Sequence, residues 1–140
     1  MDDGFGPDRF VAAQERVWLE VVAELAAGRK RTHWMWFVFP QVAGLGSSDM
    51  AQRYAIGSLD EARAYLAHPV LGARLREATR LILRHRGTPA EAVLGPIAAM
   101  KLRSSMTLFA EAAADEPLFG EALEAFHDGP DPRTLALLGR

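Results

Sequence analysis

Apolar residues recur at helical spacing along most of this chain, and prolines and glycines divide it into segments of helix length. The pattern is clearest near the N-terminus. There the stripe consists of Phe10, Gln14, Val17, Trp18, Val21, Val22 and Leu25. Pro7 and Asp8 suit the first turn of a helix, and Gly28 suits its C-terminal end. The spacing therefore predicts a first helix between Asp8 and Gly28.

Capping signals and prolines predict where the later helices begin and end. Ser58 and Thr88 each precede a glutamate by three residues, which is the form of a capping box. The predicted helices cover residues 58–68, 70–85, 88–95, 97–113 and 117–126, with a last turn after Asp131. Because 140 residues provide one hydrophobic core, residues 1–140 are predicted to form a single compact helical domain.

Residues 34–39 form the strand-like part of the sequence, because they are rich in aromatic and β-branched side chains and precede Pro40. Both faces of such a strand would carry bulky residues, so we expect the segment to be buried on two sides. One extended segment does not make a sheet. The predicted fold class is therefore mainly α, with at most a minor β element.

Composition narrows the class of protein. The absence of cysteine excludes disulfides, thiolate metal sites and thiol nucleophiles. Hydrophobic residues make up 49% of the chain, which argues against disorder, and no apolar run approaches the length of a membrane span. The first residues are acidic and lack the apolar segment of a secretory signal. We therefore expect a soluble cytoplasmic domain of undetermined oligomeric state.

The charge is unevenly distributed although the net charge is only -2. Residues 29–103 carry 12 basic and 5 acidic side chains, whereas both flanking segments are acidic. This basic middle either neutralises the flanks or forms an anion-binding surface. The negative net charge argues against nucleic acid as a partner, and the arginine stripe at 76, 80 and 84 is expected to be a solvated helix face.

Two segments carry candidate chemistry. In residues 29–41, basic side chains precede closely spaced tryptophans, which suits a flat anionic ligand that stacks on an indole and pairs with a cation. The alternative is that the aromatic residues are purely core. His33 could transfer protons, and Gln41 and the Gly/Ser-rich turn that includes Ser47 could bind a polar group or an anion. The candidate ligand residues of this region are Arg29, Lys30, His33, Trp34, Trp36, Gln41 and Ser47.

The second segment is residues 100–109, where helical geometry puts Lys101, Ser104 and Ser105 on one side. These polar groups need partners on an apolar helix, either a phosphate or carboxylate of a ligand, or groups within the protein. The four histidines have no metal-ligand spacing, and no glycine-rich phosphate loop occurs. Neither a metal nor a cofactor is predicted.

The chain resembles the family called domain of unknown function 1810 over about residues 9–138. The resemblance is carried by residues 28–30 (Gly-Arg-Lys), 33–41 (His-Trp-Met-Trp-Phe-Val-Phe-Pro-Gln), 44–48 (Gly-Leu-Gly-Ser-Ser), 68–75 and 101–109 (Lys-Leu-Arg-Ser-Ser-Met-Thr-Leu-Phe). It implies a mainly helical fold similar to the NADAR group, whose members cleave N-glycosidic bonds in ADP-ribose derivatives. One departure stands at Ala98, where members of the family carry an aspartate.

If the resemblance extends to function, the basic and aromatic segments would form a nucleotide-sugar pocket. Arg29, Lys30, Lys101 and one of the two serines would hold phosphates, and a tryptophan would stack on a ring. Three hypotheses follow: an enzyme that hydrolyses an N-glycosidic bond in a phosphorylated nucleoside, a non-catalytic anion-binding module, and a helical scaffold. A carboxylate beside the pocket would favour the first, and its absence would favour the second.

Overall fold

The structure is a computed structural model, and it describes residues 6–140. The described chain folds into helices in the following order: α1 (Asp8–Glu15), α2 (Trp18–Ala27), α3 (Met35–Val38), α4 (Asp49–Arg53), α5 (Leu59–Ala67), α6 (Leu71–Leu83), α7 (Ala90–Leu94), α8 (Pro96–Ala112), α9 (Leu118–Phe126) and α10 (Pro132–Leu137). Within residues 6–140, the extended pairing is one parallel bridge between Val42 and Ile56. The predicted mainly α fold class is confirmed.

The first predicted helix is divided into two. Val17 leaves the helical region with a φ of −134°, so α1 ends at Glu15 and α2 begins at Trp18. The predicted end is correct, because Gly28 has a φ of 72° and closes α2 in the left-handed conformation that glycine adopts readily.

The prediction of a strand at residues 34–39 was wrong. The segment forms the helical turn α3, in which the Val38 N–H donates to the Trp34 carbonyl and the Phe39 N–H donates to the Met35 carbonyl. β-propensity reflects the fit to a pleated surface, and no neighbouring strand pairs with this segment in the described chain. A helical turn satisfies these backbone groups locally instead. The segment is nonetheless buried as expected, with Trp36 half-buried.

Of the two predicted capping boxes, one forms in part and the other does not. The Ser58 hydroxyl accepts from the Glu61 N–H at 3.2 Å, but the Glu61 carboxylate accepts from the Gly57 N–H rather than from that of Ser58. At the start of α7, Pro89 occupies the cap position, so Thr88 lies one residue too early to cap the helix. The second capping box is therefore a wrong prediction.

The core lies around α8, which packs against α5, α7, α9 and α10. Its buried face includes Leu102, Met106 and Phe109, and the Phe109 ring lies 5.4 Å from that of Tyr65. On the other side of the core, the Gln14 amide donates to the Phe37 carbonyl at 2.7 Å and ties α1 to α3. This packing holds α3 and the start of α8 side by side. None of the helices described between residues 6 and 140 has the length and apolarity to cross a membrane.

Candidate functional site

A cavity of about 350 Å³ lies where the segment before α3 meets the α7–α8 junction. This volume is at the lower end of the range of small-molecule sites, about 300–1,000 Å³. The cavity is lined by Lys30, His33, Trp34, Met35, Trp36, Leu94, Gly95, Pro96, Ile97, Ala98 and Lys101. The two segments that the sequence singled out therefore meet in space, and most of the remaining lining is apolar.

Both lysines of the cavity lie over tryptophan rings. The Lys30 Nζ is 5.2 Å from the centroid of the Trp34 ring, and the Lys101 Nζ is 4.7 Å from that of Trp36. These distances are within the range of cation–π attraction, which orients an ammonium group but does not neutralise it. The Lys30 Nζ also donates to the Thr32 carbonyl at 2.5 Å. The cavity thus holds two positive charges in defined positions.

The surroundings lower the pKa of both lysines. For Lys30, burial is the largest cause; the Glu24 charge opposes it, and the Lys101 charge lowers the pKa further. For Lys101, burial is the cause of the lowered pKa. Lys101 forms no ion pair with any residue of the described chain. An anion entering the cavity would therefore improve the electrostatic environment of both ammonium groups.

The Glu24 carboxylate contacts the Trp34 side chain but is not part of the cavity lining. Its Oε1 accepts from the Trp34 indole N–H at 3.0 Å and from the backbone N–H groups of Arg31 and Thr32. Its Oε2 accepts from the Thr32 hydroxyl at 2.7 Å. Burial alone would raise the pKa of Glu24, but these hydrogen bonds lower it to about 2. Glu24 is therefore ionised at neutral pH, and it holds the Trp34 indole in place.

The two tryptophans contribute to the cavity differently. Trp34 is fully buried and fixed by Glu24, so it forms part of the wall beneath Lys30. Trp36 is only half-buried and packs at the edge of the core. Of the two indoles, Trp36 therefore has the accessible surface on which a ring can stack. The sequence could not distinguish them, because Glu24 lies off the apolar stripe of its helix and carries no local signal of its role.

The N-terminus of α8 forms the opposite wall. Gly95 precedes it with a φ of 88°, and Pro96 occupies the first helical position. The first intrahelical N–H donor is that of Ala99, which bonds to the Gly95 carbonyl, so the N–H groups of Ile97 and Ala98 have no intrahelical acceptor. The positive end of the helix dipole is thus at the cavity. The family departure at Ala98 lies in this wall, and the lining contains no aspartate or glutamate.

The other sequence candidates lie elsewhere. Arg29 is exposed and is not part of the cavity lining. Gln41 lines a separate depression of about 140 Å³, and Ser47, nearby, accepts from the Gln52 side chain through its carbonyl. Ser104 bonds to Asp131, and the buried Ser105 hydroxyl has no partner in the described chain. The structure therefore brings together Lys30, His33, Trp34, Trp36 and Lys101, and their role in binding stays a prediction.

The rest of the Lys-Ser-Thr motif holds the C-terminal segment, in an arrangement we call the C-terminal clasp (Arg103, Ser104 and Thr107 with residues 129–134). The Arg103 Nε donates to the Gly129 carbonyl at 2.9 Å, and the Thr107 hydroxyl accepts from the Asp131 N–H at 2.8 Å. The Asp131 Oδ2 accepts from the hydroxyls of Ser104 and Thr134. Burial raises the pKa of Asp131, but these hydrogen bonds outweigh it and the net pKa is lowered.

No group of three or more histidine, aspartate or glutamate side chains within residues 6–140 is arranged to hold a metal ion. The chemistry available at the cavity is therefore that of two ammonium groups, one imidazole and an indole surface.

The chain is similar to a known protein family over nearly its whole length. The family described as "Protein of unknown function (DUF1810)" matches residues 5–138, so the chain belongs to the DUF1810 family and the resemblance seen in the motifs is confirmed. The crystal structure of the conserved hypothetical protein Rv1873 from Mycobacterium tuberculosis is similar, with 52% identity, 99% of each chain covered and a TM-score of 0.95. No curated protein matches the chain.

Proposed function

We propose that the cavity binds a small anionic molecule that carries a flat ring, of the class of phosphorylated nucleosides and ADP-ribose derivatives. The observation that carries this proposal is the pair of ammonium groups of Lys30 and Lys101, which lie over indole rings in a cavity whose lining contains no carboxylate. A partly desolvated ammonium without a counter-ion is unfavourable, and a bound anion relieves that cost.

The walls supply the other two interactions that such a ligand needs. The backbone N–H groups at the start of α8 suit a phosphate or carboxylate, as helix N-termini commonly do when basic residues lie nearby. The accessible indole of Trp36 suits a base or another flat ring, with Lys101 above it. The volume of about 350 Å³ accommodates a ligand of mononucleotide size, with larger ligands extending through the open side.

Binding is favoured over hydrolysis of an N-glycosidic bond. Such hydrolysis passes through an oxocarbenium-like transition state, which needs a nearby carboxylate for stabilisation and for activation of water. Glu24 is not part of the cavity lining and both of its oxygens accept hydrogen bonds, and Ala98 stands where the family resemblance leads us to expect an aspartate. The scaffold hypothesis does not explain why two ammonium groups without an ion-pair partner among residues 6–140 line one cavity.

Isothermal titration of the purified protein with AMP, ADP-ribose and uncharged adenosine tests the proposal. We expect the two anions to bind and adenosine to bind at least about tenfold more weakly, because a charge-assisted hydrogen bond contributes about 1.5–3 kcal/mol. Lys101→Ala and Lys30→Ala should each weaken the anions about tenfold or more. Arg29→Ala removes a neighbouring positive charge outside the cavity and is the matched control.

The proposal fails if neither anion binds at millimolar concentration, or if Arg29→Ala weakens binding as much as Lys101→Ala does. The same incubations, followed by chromatography, check for release of a free base from NAD or ADP-ribose derivatives. Release by the protein that is abolished in Lys101→Ala would replace the binding function with the hydrolytic one.

A further inference from the structure

The chain contains only two lysines beside fourteen arginines, and both lysines line the same cavity. Wherever the described chain forms an ion pair between side chains, the cation is an arginine. Arginine would serve equally well or better if the cavity only needed to hold an anion, because its fork binds phosphate in two places. Lysine, unlike arginine, can lose its proton and then act as a nucleophile.

The two lysines are not equivalent. The Lys30 Nζ donates to the Thr32 carbonyl, and the Glu24 carboxylate favours its charged form. Lys101 has no hydrogen-bond acceptor and no ion-pair partner among residues 6–140, and its Nζ is in contact with the face of Trp36. Burial lowers the pKa of Lys101. Lys101 is therefore the lysine whose amine has no competing polar contact within the described chain.

We propose that Lys101 forms an imine with the aldehyde or ketone group of an anionic ligand, while Lys30 and the start of α8 hold the anionic group. This inference rests on the proposed function and narrows its substrate class to anionic carbonyl compounds, which include sugar phosphates that open to an aldehyde. The arrangement matches a known way to activate a lysine, which is desolvation in an apolar pocket near a second cation.

The chemical step balances without any further reactant. Neutral Lys101 attacks the carbonyl carbon, the Nζ–carbon bond forms, and the carbonyl π electrons move to oxygen. One proton passes from nitrogen to that oxygen to give the carbinolamine. The hydroxyl then leaves with the second nitrogen proton as water, and the nitrogen lone pair forms the C=N bond of the imine. His33 lines the same cavity and is exposed, so its imidazole can carry the proton between the amine and the departing oxygen.

Pyridoxal 5′-phosphate is a suitable probe because it combines a flat ring, a phosphate and an aldehyde in one small molecule. The protein is incubated with the probe, the imine is reduced with borohydride, and the modified lysine is identified by peptide mass spectrometry. The candidate amines are those of two lysines, which lie far apart in the sequence, and the terminal amine. Peptide mass spectrometry therefore identifies which amine carries the probe. We expect the adduct to form at Lys101 in preference to Lys30, because the Lys30 Nζ donates to the Thr32 carbonyl and the Lys101 Nζ has no such acceptor among residues 6–140.

Two conservative variants separate charge from nucleophilicity. Lys101→Arg keeps a positive charge in the cavity but cannot form an imine, so the adduct should disappear. Lys30→Arg keeps the anion-holding charge, so the adduct on Lys101 should persist. Pyridoxine 5′-phosphate, which has an alcohol in place of the aldehyde, should bind wild type without forming an adduct, so it measures anion binding separately from imine formation.

The outcomes separate this inference from the proposed function. If pyridoxine 5′-phosphate binds and is displaced by AMP, but borohydride traps no adduct on Lys101, the imine is refuted and anion binding stands. If modification falls equally on Lys30 or on the terminal amine, or persists in Lys101→Arg, the assignment of Lys101 is refuted. If neither pyridoxine 5′-phosphate nor AMP binds, both proposals are overturned.

Discussion

The cavity and the C-terminal clasp are built on the same helix, yet they treat polar side chains in opposite ways. In the clasp, Arg103, Ser104 and Thr107 all find acceptors or donors in residues 129–134. Two residues before Arg103 on α8, Lys101 finds neither an acceptor nor a counter-ion in the described chain. One motif, residues 101–109, thus contributes to both regions.

The difference separates structural polar groups from candidate binding groups. A buried polar group whose partners lie within the protein contributes to stability, and its removal leaves those partners unsatisfied. A partly buried charge without a partner does not stabilise the fold and is available to a ligand. Glu24 belongs to the first kind although it lies beside the cavity, because four donors surround it. Mutations in the two regions should therefore divide into losses of stability and losses of binding.

The largest loss of stability is expected for Glu24→Gln, which replaces a carboxylate by a neutral amide among four donors. We expect unfolding free energy to fall by about 3 kcal/mol, because hydrogen bonds to a charged group contribute about 1.5–3 kcal/mol each and only some survive. Urea denaturation followed by tryptophan fluorescence measures this. Glu20→Gln, at an exposed position of α2, is the control and should change stability by less than about 0.5 kcal/mol.

Acid should weaken the fold through the same carboxylate. The pKa of Glu24 is lowered from 4.5 to about 2 in the folded protein, so its contribution is fully present above pH 4.5 and is lost as the pH falls toward 2. Asp131, whose pKa is also lowered, acts in the same direction. Denaturation curves between pH 6 and pH 2.5 should show this decline, and Glu24→Gln should show a shallower one. Equal slopes would mean that Glu24 does not anchor the fold.

Thr107→Val should break the clasp while leaving the shape of the side chain unchanged. The substitution leaves the Asp131 N–H without its acceptor, which we expect to cost about 2 kcal/mol. Thermal unfolding would report a lower Tm, and anion binding at the cavity should be unchanged. Thr88→Val is the matched control, since Thr88 is exposed and caps no helix. Similar losses in the two variants would contradict the assigned role of the clasp.

The smallest effect on stability is expected for Lys101→Ala, within about 0.5 kcal/mol, because no partner in the described chain is left unsatisfied. Ser104→Ala, three residues further along the same helix, should cost about 1 kcal/mol through the lost contact with Asp131. Chemical denaturation of the two variants side by side tests the comparison directly. If Lys101→Ala proves as destabilising as Ser104→Ala, the ammonium has a structural role and the comparison fails.

Helical periodicity predicted most of the fold, because positions such as Phe109 and Leu102 recur at the spacing of a buried helix face. It failed at residues 34–39, where side-chain composition favoured a strand but no partner strand exists in the described chain. The break at Val17 was missed for a similar reason, since the apolar stripe continues through it. At both places tertiary packing determines the local structure, and a periodic pattern carries no information about that packing.

The candidate site was predicted in part. The sequence identified Lys30, Trp36 and Lys101 as unusual, and the structure brings them to one cavity. It could not indicate that Ser104 bonds to Asp131, because that contact joins residues 27 positions apart in the chain. Glu24 was missed because an acidic residue on a surface helix has many equally plausible roles until Trp34 is seen to contact it.

The confinement of both lysines to one cavity has a practical consequence for work at the bench. Both lysines of residues 1–140 line the cavity, so reagents that couple to primary amines, such as succinimidyl dyes, biotin esters and activated sensor surfaces, would react with them there as well as with the terminal amine. Immobilisation through these lysines would block the cavity. The lack of cysteine offers the remedy, since one thiol engineered on a distant exposed position would give a single attachment point.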